Sequence, residues 1–272
     1  PMFIFFSTNL PHGPVDIPPE ENTYAGSPAI RQAYGNASGT NRECSGAAEE
    51  YASMVDKLDR QVGAIVDQVR KLGLDKRTII IFSSDNGHEL YYRTDKGRGR
   101  GPDCHGGVLD GTGELLDVFR GSRGRVGPNN AMANLAGLKW TSHEGGIRVP
   151  LIISWPGTLP HGKVCHSLVA NYDHMASFAD LAGIRMPEGK DAVSYMDILS
   201  GNSSRQRDYV VVDHTVITGD GWKLTQKQNK PFLFHIGRDP EERNNLAGTR
   251  KDQLEKLRAI YRKEVGSPRK DR

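Results

Sequence analysis

Residues 78–89 constrain the fold more than any other stretch of the chain. Ile79, Ile80, Ile81 and Phe82 form an unbroken apolar run with polar residues on both sides. A short run this apolar and β-branched predicts a strand buried on both faces, as in a parallel sheet. It leads directly into Asp85-Asn86-Gly87. In open α/β sheets, ligands bind just beyond the carboxyl ends of the strands. A carboxylate and an amide oxygen at such an end are hard donors suited to Ca²⁺ or Mg²⁺. Alone, the triplet reads first as an ordinary Asn-Gly turn; its neighbours in the chain decide for a site.

The flanking segments predict a crossover unit. Residues 2–8 read as a first strand, ending at His12 between Pro11 and Pro14, a non-helical loop directly after the strand. Residues 15–47 show no periodicity and read as a surface excursion. Over residues 48–73, Met54, Val55, Leu58, Val62, Ile65, Val66, Val69 and Leu72 recur at helical spacing, and Gly73 supplies the stop. Strand, helix, strand in this order predicts parallel neighbours, with His12 and Asp85-Asn86 at one sheet edge. Residues 151–155 predict another buried strand and residues 172–182 a helix with Met175, Phe178, Ala179 and Leu181 on one side and Gly183 as its stop.

Past about residue 187 the pattern changes. Residues 210–213, 221–225 and 231–236 read as short antiparallel strands, and residues 251–265 as a helix presenting Leu254, Leu257, Ile260 and Tyr261. The expected fold class is therefore α/β: a mostly parallel sheet sandwiched by helices over residues 1–187, and a small antiparallel β subdomain with a terminal helix over 188–272. The Gly-rich stretch 90–138 reads as an active-site loop or an insertion.

Composition narrows the function. With 36 basic against 33 acidic residues the formal charge is only +3, so no nucleic-acid footprint follows. The basic runs at 96–100 and 120–125 read as solvated loop. Cys44, Cys104 and Cys165 are too widely spaced for a disulfide framework or zinc ribbon. Cys104 with His105 offers too few ligands for a metal. No stretch approaches the roughly 18 apolar residues of a membrane span. The chain opens at Pro1 in what reads as the middle of a strand, so an N-terminal part carrying any targeting signal is expected upstream.

Three segments then converge: His12 after the first strand, Asp85-Asn86 after the second, and Lys139 with Glu144-Gly145-Gly146 ahead of the third. A divalent cation, a lysine and a histidine at one sheet edge suit an anionic ester. In this order the segments 3–14, 54–74, 82–87, 139–150, 191–199, 221–224 and 233–246 resemble the sulfatase family of the alkaline-phosphatase-like fold. The resemblance implies that Asp85 and Asn86 are calcium ligands, and that His12 and Lys139 contact the sulfate group and its leaving oxygen. His88, next to Asn86-Gly87, is a further substrate-contact candidate from its position alone. His143 stands where the family often has an aromatic residue, and its role is left open.

The family's nucleophile, a formylglycine made from Cys or Ser within C-x-P-x-R or S-x-P-x-R, has no counterpart in these 272 residues. Nor has the aspartate pair that completes the family's calcium shell. Both precede the equivalent of residue 1 in the family, so the chain is expected to be the C-terminal portion of a sulfatase and inactive by itself. The parent is expected to cleave a sulfated small molecule or glycan by a calcium-assisted formylglycine mechanism, in a periplasmic, lysosomal or secreted setting. Rival readings are a phosphonate or phosphodiester hydrolase of the same superfamily and a non-catalytic binding module. Oligomeric state leaves no trace in the sequence.

Overall fold

The computed structural model describes residues 2–12, 17–30, 42–87, 135–136, 139, 141–201, 207–227 and 230–265. They divide into two compact units, one of residues 1–75 and 88–139, the other of residues 76–87 and 140–272.

The first unit is built on α1 (Arg42–Lys71). The helix starts six residues before the expected position. Its opening residues, Arg42-Glu43-Cys44-Ser45-Gly46-Ala47, carry no apolar stripe, so periodicity is silent about them. It ends as expected at Gly73, where a φ of 66° lets the amides of Gly73 and Leu74 turn back to the carbonyls of Arg70 and Val69. The predicted stripe is only partly covered: Met54 is buried, Leu58, Val62, Val66 and Val69 are half-buried, and Val55, Ile65 and Leu72 are exposed. Residues 17–30 are not a free excursion. Tyr24 N–H donates to Ser53 Oγ at 3.1 Å, Gly26 N–H donates to Glu49 Oε2 at 2.9 Å, and Lys57 pairs with Glu21. These bonds dock the segment along α1 and bury Ile17 and Ile30. The expected strand at residues 2–8 is absent from the described structure, and Met2 to Phe6 are 57–81% exposed. β-propensity alone does not make a strand.

In the second unit β1 (Ile80–Ser83) pairs with β2 (Leu151–Ser154) antiparallel, Ile81 opposite Ile153. The mostly parallel sheet is therefore not found: the strands among the described residues pair antiparallel throughout. Nor are these two strands buried on both faces. β1 is half-buried along its length, and Ile152 of β2 is 61% exposed. Between them in sequence lies the four-residue helix α2 (Glu144–Ile147).

The helix α3 (Asp173–Leu181) corresponds to the predicted one but turns another face inward. Asp173, Ala176 and Ser177 are buried while Met175 and Leu181 are exposed. Hydrogen bonding explains the difference. Asp173 accepts from the amides of Ala170 and Val193 at 2.9 Å each and pairs with Arg207, and Ser177 Oγ accepts from Tyr195 N–H at 3.0 Å. A fully bonded carboxylate can be buried at low cost. One further turn, α4 (Met196–Leu199), follows.

The antiparallel part is as predicted, with one strand added. β3 (Tyr209–Val212), β4 (Thr215–Thr218), β5 (Trp222–Lys227) and β6 (Lys230–His235) form a meander in sequence order. β4 escaped the sequence reading because only Asp213 and His214 separate it from β3; Asp213 takes a φ of 51° to make that tight turn. Helix α5 (Lys251–Glu264) lays Leu254, Leu257 and Tyr261 on Val216, Trp222, Leu224 and Leu233. Alternation along β5 sends Trp222 and Leu224 into this core and Lys223 to the opposite face.

Leu257 is fully buried at the centre of that core. Leu257→Ala is expected to destabilise the protein by about 2–5 kcal/mol, measured as a fall in the midpoint of denaturant unfolding.

Candidate functional site

In the first unit, a short turn presents His12. Its amide donates to Asn9 O at 2.7 Å, and Leu10 N–H donates to Thr8 Oγ1 at 3.1 Å. Lys139 Nζ lies 3.2 Å from His12 Nε2. Because an ammonium only donates, the imidazole accepts at Nε2 when neutral. Residues 127 positions apart in sequence, both capable of positive charge, are thus set side by side, an arrangement that favours an anion.

In the second unit, Asp85 and Asn86 follow β1 as expected. Their backbone is held from several sides. Asn171 Nδ2 donates to Ser84 O at 3.0 Å, Ser84 Oγ donates to Asn86 O at 3.0 Å, and Gly87 N–H donates to Gly146 O at 2.9 Å. Gly87 is required here: a Cβ would sit 1.9 Å from Gly145 O, far inside contact distance. Asp85 is exposed, and Asn86 Nδ2 donates to its Oδ1, leaving Asn86 Oδ1 as a second oxygen donor. The pair fits Ca²⁺ in donor type and supplies two side chains toward its 6–8 oxygens. Among the described residues no group of three or more His, Cys, Asp or Glu side chains is placed to hold a metal. His88 lies outside the described residues.

Next to this loop is a buried ionic cluster that sequence reasoning missed. Lys223, on the far face of β5, donates to Glu144 Oε1 at 3.0 Å and to Glu242 Oε1 at 2.9 Å. Glu242 Oε1 also accepts the amide of Glu144 at 2.7 Å, and Oε2 lies 2.7 Å from His143 Nδ1. Lys223 is 0%, Glu242 1% and Glu144 3% exposed. Burial pushes the Glu242 carboxyl up, but the His143 hydrogen bond and the Lys223 charge outweigh it and hold it below its ordinary value of 4.5. The one sequence signal was a lysine between Trp222 and Leu224 in the expected strand 221–225. The cluster fastens the Glu144-Gly145-Gly146 turn, whose last carbonyl holds Gly87, to the four-stranded sheet.

The sulfatase family model matches residues 1–184, more than half of the 272 residues. The chain belongs to the sulfatase family. A second model, described as the C-terminal part of N-sulphoglucosamine sulphohydrolase, matches residues 139–270. The sulfatase chain is 24% identical to N-acetylgalactosamine-6-sulfatase of Canis lupus familiaris, over 96% of its own length and 47% of the relative's. It is 26% identical to N-acetylgalactosamine-6-O-sulfatase of Bacteroides thetaiotaomicron, over 70% and 37%, and 32% identical to the arylsulfatase of Klebsiella aerogenes, over 49% and 29%. It thus spans less than half the length of these curated relatives. Among solved structures, a sulfatase from the glycosaminoglycan-metabolism locus of Bacteroides thetaiotaomicron superposes with a TM-score of 0.61 at 24% identity, over 79% of this chain and 44% of that one. Ps i-CgsB superposes with a TM-score of 0.61 at 22% identity, over 96% and 54%. The chain therefore shares the fold of these two structures, although its described strands pair antiparallel.

Because the Glu242 carboxyl binds its proton less readily in the folded than in the unfolded protein, its contribution to stability is complete above about pH 4.5 and is lost as acid protonates the folded form. Glu242→Gln is expected to cost about 3 kcal/mol or more at neutral pH, since it removes one of the two carboxylate charges around the buried Lys223. It should also flatten the acid limb of the stability profile. Denaturant unfolding of both proteins between pH 3 and pH 7 checks both outcomes.

Proposed function

We propose that this chain is the C-terminal portion of a sulfatase that hydrolyses sulfate esters of glycans, with His12 and Lys139 contacting the sulfate group. The observation that carries the reading is Lys139 Nζ at 3.2 Å from His12 Nε2, in a chain of the sulfatase family. Lys139 neutralises a non-bridging sulfuryl oxygen. His12, when protonated, donates its Nε2 proton to the leaving sugar oxygen, so that an alcohol rather than an alkoxide departs. Asp85 and Asn86 would hold calcium through their side-chain oxygens. That ion, when bound, supplies positive charge to the sulfuryl oxygens. His88 belongs to the proposal as a further substrate contact.

The family generally works with calcium and formylglycine, and the nucleophile segment is not among these 272 residues. We therefore place the nucleophile elsewhere in the parent protein and expect residues 1–272 alone to be inactive. The proposed division is a catalytic-domain portion, residues 1–187, and a small antiparallel subdomain, residues 188–272. A glycan substrate is supported by the relatives named N-acetylgalactosamine-6-sulfatase and by a structural neighbour described in complex with its substrate, D-glucosamine-2-N,6-O-disulfate. A periplasmic, lysosomal or secreted setting is part of the same proposal. No helix among the described residues is long and apolar enough to cross a membrane.

The test is sulfate release from sulfated sugars and aryl sulfates by the protein expressed from its natural reading frame. Lys139→Ala and His12→Ala are each expected to lower kcat/KM by about 100-fold or more. Phosphate-ester turnover without sulfate release would move the assignment to a phosphodiester or phosphonate hydrolase. Hydrolysis of neither would leave a binding module.

A further inference from the structure

Of the three groups bonded to the Glu242 carboxylate, His143 is the one that reaches solvent. Its side chain is 33% exposed, whereas Glu242, Lys223 and Glu144 beneath it are sealed in. Glu242 holds the ring from below. It accepts three hydrogen bonds in all, from Lys223 Nζ, Glu144 N–H and the imidazole, and stays ionised. An ionised carboxylate only accepts, so His143 carries a proton on Nδ1. The ring is thereby fixed in orientation, and in the neutral form Nε2 is left as an acceptor. Among the described residues Nε2 has no hydrogen-bond partner.

Two observations separate this arrangement from an incidental surface histidine. Glu242 adopts a φ of 49°, a left-handed conformation unusual for a residue with a side chain. Such strain persists where the surroundings over-determine it, and it clusters at functional sites. The backbone also ties His143 to the Asp85-Asn86 loop. His143 O accepts the amide of Gly146 at 2.9 Å, and Gly146 O accepts the amide of Gly87 at 2.9 Å. A locked imidazole therefore stands one glycine turn away from the loop offered above as a calcium site.

We propose that His143 is a substrate-contacting residue that accepts a hydrogen bond at Nε2 from a hydroxyl of the sulfated sugar, with Glu242 as its positioning residue. The inference rests on the sulfatase reading and deepens it: it assigns recognition of the sugar, as distinct from the sulfate, to a named side chain. Buried carboxylate–histidine pairs hold an imidazole in one tautomer. A site built to hydrogen-bond a hydroxyl discriminates sharply against substrates that lack it.

The experiment uses the protein from its natural reading frame, assayed on a panel of sulfated amino sugars that includes N-acetylgalactosamine 6-sulfate, and on 4-nitrophenyl sulfate. His143→Ala is expected to raise KM for the preferred sugar about 10- to 100-fold. It should leave kcat within about threefold and inhibition by inorganic sulfate unchanged, because the sulfate contacts are elsewhere. Glu242→Gln is expected to raise KM similarly. Its amide nitrogen, turned from Lys223 toward the ring, should move the His143 proton from Nδ1 to Nε2, read in ¹⁵N shifts of the imidazole. An unchanged KM in His143→Ala, or an equal loss of sulfate inhibition, overturns the inference. So does a wild-type protein that cleaves the aryl sulfate and no sugar, while the sulfatase reading stands. A wild type that releases sulfate from neither class overturns both.

Discussion

The position of Lys223 between Glu144 and Glu242 is the constraint on which the second unit depends. One ammonium, wholly buried, is shared by two carboxylates that come from far apart in the sequence. A buried charge without partners would cost several kcal/mol, so none of the three groups can be placed independently of the others. Pairing also sets the order of the structure. β5 fixes Lys223, Lys223 and Glu242 fix Glu144, and the glycine turn that begins there fixes Gly87.

The consequence is a division of labour along one chain of contacts. The four-stranded sheet and α5 bury an ordinary apolar core on one face, where Leu224, Leu233 and Leu257 are fully enclosed. On the opposite face the same β5 carries a charge inward. A sheet that is apolar on one side and ionic on the other stabilises itself through the first and positions a loop through the second. The four-stranded sheet with α5 is then a brace for the residues after β1.

Much of this was legible in the sequence, and the failures have physical causes. The Asp85-Asn86 turn was legible as the end of β1 because a short apolar run that stops at hard oxygen donors carries a structural pattern as well as a chemical one. α5 was legible because Leu254, Leu257 and Tyr261 share one face. The parallel sheet was not, because a run such as Ile79 to Phe82 reports how apolar a strand is and nothing about its partner's direction; the observed partner, β2, is antiparallel. Met175 and Leu181 share the apolar side read from the sequence, yet the hydrogen bonds of Asp173 and Ser177 turn another side of α3 inward. Glu242 was invisible because its meaning lies in contacts with His143, Glu144 and Lys223, which are 99, 98 and 19 positions away in sequence.

Amide hydrogen exchange at Gly87 tests the central claim most directly. Its N–H is held by Gly146 O, a bond that depends on Lys223 through Glu144 although it shares no atom with the lysine. Lys223→Met removes the charge while keeping an unbranched side chain in the strand. Exchange at Gly87 and Gly146 is expected to accelerate at least tenfold, while the amides of α5 facing the apolar core remain protected. Unchanged protection at Gly87 in a folded Lys223→Met protein would contradict it.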